Sequence, residues 1–132
     1  MIRWLDHVNL RTADVERMVR FYVDVVGLRL GDRPPFAFPG AWLYAGERPV
    51  VHLVGEPGVA AAAIPGDPLT PLTLEHFAFA ADDPESFQQR LEAQGIAYRR
   101  SLQTGSGRIV VNLRDPDGNR LHVDFDPPAG SP

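Results

Sequence analysis

The chain repeats itself, and that repeat limits its fold more than any other feature. Leu5-Asp6-His7-Val8 returns as Leu74-Glu75-His76-Phe77 at an offset of 69 residues. Asp14 and Asp83, each ahead of a helical pattern, also differ by 69. The helix-stopping Gly27 and Gly95 differ by 68, and His52 and His122 by 70. A near-constant period running through different kinds of element indicates two tandem copies of one unit.

Residue patterning gives the content of the unit. Residues 3–10 alternate as a strand, with Arg3, Leu5, His7 and Asn9 on one face and Trp4, Asp6, Val8 and Leu10 on the other. Thr12 is the expected N-cap of a helix over 13–26, whose apolar positions Val15, Met18, Val19, Tyr22, Val25 and Val26 keep helical spacing. Tyr22 falls within that stripe and reads as core. Strands are expected at 28–31, 41–45 and 50–54, the last two joined by a turn around 46–49. The second copy has a strand at 73–80 and a helix at 84–94 that opens on Pro84 and buries Phe87 and Leu91. Strands at 96–101, 108–113 and 120–125 follow, the last two joined by Asp115-Pro116-Asp117-Gly118-Asn119. The expected class is α+β, a single domain of two βαβββ modules. Module one spans 1–54 and module two 72–126, with a proline-bearing linker over 55–71 and a tail over 127–132. The two modules are expected to form a cupped, barrel-like mixed sheet with the helices outside.

Composition removes whole classes of chemistry. With no cysteine among 132 residues there are no disulfides, iron–sulfur clusters or thiol nucleophiles, so a metal must be held by nitrogen or oxygen ligands. The net charge of −4 gives no reason to expect nucleic acid or an anionic membrane as partner. No apolar run is long enough to span a bilayer. The first residues lack a continuous apolar stretch after Arg3, so no signal peptide is expected and a cytoplasmic location is the default. Arg99-Arg100 reads as a solvated strand end, and Gly105-Ser106-Gly107 as a hairpin or a mobile lid.

The histidines carry the functional argument. In each module the more apolar strand face must meet the helix. The opposite face then holds His52, His76, Arg108, Asn112, His122 and Asp124, together with His7. All four histidines of the chain lie on this helix-free side, on the first and last strands of each unit. If two such sheets pair their helix-free faces, quasi-symmetry brings His7, His52, His76 and His122 together as metal ligands. Asp124 shares a strand face with His122 and is a candidate base or ligand-orienting residue. Arg108 and Asn112 are candidates for binding a substrate carboxylate or phosphate.

The chain resembles the vicinal oxygen chelate superfamily, which includes glyoxalase I, the fosfomycin and bleomycin resistance proteins, methylmalonyl-CoA epimerase and extradiol dioxygenases. The resemblance rests on Leu5-Asp6-His7-Val8-Asn9-Leu10, on residues Arg20 to Leu28, on Val50-Val51-His52-Leu53, on Glu75-His76-Phe77, and on the 115–119 turn leading into Leu121-His122-Val123. It implies paired modules around a divalent metal, with ligands from the first and last strands at His7, His52, His76 and His122. It also implies a small-molecule substrate and a homodimer. Members with this hairpin usually carry Glu where this chain has His122, and glyoxalase I uses ligand glutamates to move the substrate proton. That carboxylate is missing here.

Two functional classes follow. One is a metalloenzyme acting on an oxygen-chelating small molecule, as isomerase, lyase or ring-cleaving oxygenase, with Zn, Ni, Co, Mn or Fe all compatible with the ligand types. The other is a binding protein that sequesters a drug or metabolite without turnover. A third reading is a metal-free structural or regulatory descendant.

Overall fold

The structure is a computed structural model that describes residues 1, 3–58 and 74–128. The chain divides into two compact units between residues 63 and 64. Most of the expected linker and the end of the expected tail lie outside the described residues.

The first unit runs β1 (Val8–Thr12), α1 (Val15–Phe21), β2 (Arg29–Gly31), β3 (Gly40–Ala45) and β4 (Arg48–Gly55). Its sheet has the order β1-β4-β3-β2, with β1 and β4 parallel and the other pairs antiparallel. The second unit runs β5 (Phe77–Ala81), α2 (Pro84–Ala93), β6 (Arg99–Leu102), β7 (Ile109–Arg114) and β8 (Arg120–Phe125). Its order, β5-β8-β7-β6, repeats the first, again with one parallel pair. The class is α+β, as expected. Among the described residues, the four strands of each unit form a sheet of their own.

Burial follows the pleat. In the first unit Leu10, Leu43, Val51 and Leu53 are buried together with Met18 and Phe21 of α1 and with Tyr22 and Val25 of the segment that follows it. In the second, Val111, Leu113, Leu121, Val123 and Phe125 are buried with Phe87 and Leu91 of α2. Full burial of each large side chain contributes about 1.5–3 kcal/mol, so each layer holds its own unit folded. Residues one step along each strand face the opposite way, and the histidines belong to that second set.

Several local boundaries differ from the sequence reading. The first strand of each module starts later than expected, so His7 and His76 stand one residue ahead of β1 and β5. Asp14, not Thr12, caps α1, its carboxylate accepting from the Arg17 amide at 3.0 Å. Thr12 instead accepts the Asp14 amide on its hydroxyl, which explains why a threonine is fully buried there. The expected helix to Val26 is α-helical only to Phe21, and Tyr22–Val26 form one wider π turn. Tyr22 and Val25 are both buried within this wider turn. Gly27, at φ 96°, ends the element, as its amide and that of Leu28 both donate to the Tyr22 carbonyl.

The turn over 115–119 owes its sequence to one buried carboxylate. Asp115 Oδ1 accepts the amides of Asp117 and Asn119, both at 2.9 Å, and Oδ2 accepts the Asn119 side-chain amide at 2.8 Å. The turn delivers β8, and with it His122, into register against β7.

Candidate functional site

Each unit sets two imidazoles side by side on its helix-free face. In the first, the His7 and His52 rings stack with centroids 3.9 Å apart and planes 12° from parallel. In the second, His76 and His122 stack at 4.0 Å and 12°. The arrangement follows from register. His52 pairs with Asn9 on β1 and His122 with Ala78 on β5, and each first histidine lies two residues earlier on the same side.

The first histidine of each pair is oriented by the acid before it. His7 Nδ1–H donates to Asp6 Oδ2 at 2.8 Å, and His76 Nδ1 lies 3.5 Å from Glu75 Oε1. A carboxylate on Nδ1 leaves the Nε2 lone pair outward, the tautomer a metal ligand needs. The His7 bond also holds the Asp6 carboxyl below its ordinary range. Glu75 is lowered first by Arg120, which donates to it at 2.6 Å. The sequence signal for these partners was an acid preceding each first histidine at the same repeat offset. Strict alternation had assigned Asp6 to the other face.

Burial disfavours protonation of the second histidines. Burial pushes the His52 imidazole below its ordinary value of about 6.5, and the adjacent His7 lowers it further. His122 is lowered for the same two reasons, burial first and His76 second, with Asp124 acting in the opposite direction. A neutral imidazole is competent to bind metal at neutral pH.

The two pairs are not equivalent. His52 Nε2–H donates to the Pro49 carbonyl at 3.1 Å, so that nitrogen is committed. The bond arises at a register shift where Leu43 pairs with Val51 but Tyr44 pairs with Pro49, leaving Val50 as an extra residue. The register between β7 and β8 runs without a shift from Ile109↔Phe125 to Arg114↔Arg120. His52 is also sandwiched, since Trp42 stacks on its other face at 4.0 Å and 10°. Phe36 approaches Trp42 at 6.5 Å and stacks with Phe38 at 5.0 Å, while Arg33 lies over both phenyl rings. This aromatic wall escaped the sequence reading because Phe36 and Phe38 lie in a proline-rich loop without periodicity.

Asp124 lies on the His122 face, with Oδ2 3.8 Å from Arg108 and Oδ1 buried without a hydrogen-bond partner. Arg108 lies between two carboxylates, its Nε 3.0 Å from Asp126. Asn112 pairs in register with His122 and lines an open cleft of about 570 Å³. Thus Asn112, Asp124, His76 and His122 share a face, while Arg108 is engaged by acids at the far end of β7. Residues 103–108 form a closed turn, as expected from the glycines, with the Gln103 amide donating to the Arg108 carbonyl. Among the described residues, no three metal-ligating side chains converge; each unit supplies a pair.

Comparison with known proteins decides the family. The sequence profile of the Glyoxalase/Bleomycin resistance protein/Dioxygenase superfamily matches residues 4–123. The chain belongs to this superfamily. A lactoylglutathione lyase of Schizosaccharomyces pombe is 26% identical over 86% of the chain. The match spans only 44% of that protein, so the chain covers less than half the length of this relative. A lactoylglutathione lyase of Salmonella typhimurium is 23% identical, with 89% of this chain and 88% of that protein aligned. The solved glyoxalase/dioxygenase from Nostoc punctiforme superposes with a TM-score of 0.77 at 22% identity, covering 96% of this chain and 92% of that one. That likeness establishes the fold. Among the described residues no helix is long and apolar enough to cross a membrane.

Proposed function

We propose that this superfamily member is a divalent-metal-dependent enzyme of glyoxalase or dioxygenase type acting on an oxygen-chelating small molecule. His7, His52, His76 and His122 are its ligands. The observation that carries the reading is the duplicated imidazole pair, each with a carboxylate on Nδ1 of its first member. His7, His76 and His122 each keep a ring nitrogen free to offer an ion. His52 fits once its Nε2 exchanges the Pro49 carbonyl for the ion, or through Nδ1.

A bound ion supplies Lewis acidity toward a chelating substrate oxygen. The residues supply the rest. Asp6 and Glu75 fix the first imidazoles, and Asp124, whose Oδ1 is buried without a hydrogen-bond partner, would serve to orient His122 or accept a proton. Asn112 offers a neutral donor toward substrate oxygen. Neutral imidazoles leave the charge of the dication to be balanced by an anionic ligand. A homodimer, implied by the family resemblance alone, and a cytoplasmic location, taken as the default, complete the reading.

The test is metal analysis of protein purified without chelator. One divalent ion per chain is expected, with at least tenfold loss of affinity in the His7→Ala/His76→Ala double variant. Absence of stoichiometric metal at neutral pH overturns the reading.

The aromatic wall of Trp42, Phe36 and Phe38 and the lack of a ligand glutamate favour a second reading, a drug- or metabolite-binding protein without turnover. It predicts ligand affinity that survives chelator. A metal-free descendant predicts ligand binding indifferent to substitution of His7 and His76.

A further inference from the structure

We propose that the helix-free face of the second unit holds an anion subsite built from Arg99, Arg114, Arg120 and Asn112, which takes a carboxylate or phosphate group of the ligand. All four residues line the cleft of about 570 Å³, whose remaining wall includes the turn at 95–98. Register places them on one face. Arg99 pairs with Asn112, Asn112 with His122, and Arg114 with Arg120. Three guanidiniums in one cleft are unexpected in a chain of net charge −4. Like charges held together repel, and an anion in the cleft relieves that repulsion.

The guanidiniums retain donors for such a ligand. Arg99 has no side-chain partner among the described residues. Arg114 donates from one nitrogen to the Gly118 carbonyl at 3.2 Å. Arg120 donates from one nitrogen to Glu75. Each therefore keeps free N–H groups in the fork geometry that suits paired oxygens. Arg100, one residue further on, serves as the internal contrast. It faces the helix and is spent on Glu85 and Gln88 at 3.1 and 2.9 Å. Only one of the two adjacent arginines therefore serves the cleft. Arg108, singled out from sequence for this role, is held by Asp124 and Asp126 instead.

The proposal rests on the reading that this face meets ligand, but not on metal. Its test uses full-length protein stripped with chelator, in chloride-free buffer. Titration with inorganic phosphate in one arm and succinate in the other is followed by calorimetry and by the Arg99 and Arg120 Nε–H signals in nitrogen-15 NMR. Saturable binding is expected in at least one arm, and the tighter arm identifies the chemical group. Arg99→Gln should weaken it about tenfold, the loss of one charge-assisted contact. Arg100→Gln, the same change of net charge, should leave it within twofold. Thermal melting of both variants separates misfolding from lost contact, and Arg120→Lys serves as a second cleft variant. No saturation in either arm, or equal weakening by the two glutamine variants, overturns the proposal. Metal loading with no anion binding would fail this proposal alone, and anion binding without metal loading would fail only the metalloenzyme reading.

Discussion

His52 and His122 show how much one residue's surroundings control. Both are imidazoles packed against a second imidazole, and burial together with the neighbouring ring lowers both below their ordinary value. Between the folded and unfolded values the unfolded chain binds more protons than the native one. Stability therefore rises with pH through this window, is complete above about 6.5, and is lost on acidification. Metal-free protein should melt at a lower temperature at pH 5.5 than at pH 7.5, and His122→Asn should flatten that slope. A melting temperature that rises on acidification would contradict the assignment. The ligand candidates were legible at this scale because the histidines are few and recur with the repeat. Trp42 was not, since stacking on His52 depends on cross-strand register between β3 and β4, which no local pattern encodes.

At the scale of elements, the alternation of β4, β7 and β8 sufficed to assign the buried face, and the structure follows it at Val51, Leu53, Val111, Leu121 and Val123. Alternation gave out where strands begin. Residues 3–7 alternate in sequence but pair with nothing before Val8, because strand existence depends on a neighbour. The π turn after Phe21 was equally silent, as it preserves the apolar spacing that suggested one continuous helix. Close approach is another property that only packing reveals. A Cβ on Gly40 would stand 2.3 Å from the Leu53 carbonyl oxygen, whereas Gly46, at φ +61°, has nothing within 4 Å of that position. Gly40→Ala should therefore cost about 2–3 kcal/mol through backbone displacement between β3 and β4. Gly46→Ala should cost only about 1 kcal/mol, from its dihedral angle. Urea unfolding of the two variants gives the comparison, and equal losses would show that β3 yields freely.

For the whole molecule, duplication has been followed by divergence. The position that pairs with the second histidine is Trp42 in one unit and Asn112 in the other. The first unit thus presents an aromatic wall beside its imidazoles, and the second a cleft lined with arginine. The two units keep in common the imidazole pair with its leading acid. That shared feature underlies the claim that the chain binds a divalent ion through its histidines. An anomalous-difference map, recorded at the metal edge from crystals of protein purified without chelator, tests it most directly. One peak per chain is expected, about 2.0–2.2 Å from imidazole nitrogens that include those of His7 and His76. Density showing these histidines without a metal neighbour, in crystals grown with excess divalent ion at neutral pH, would contradict it.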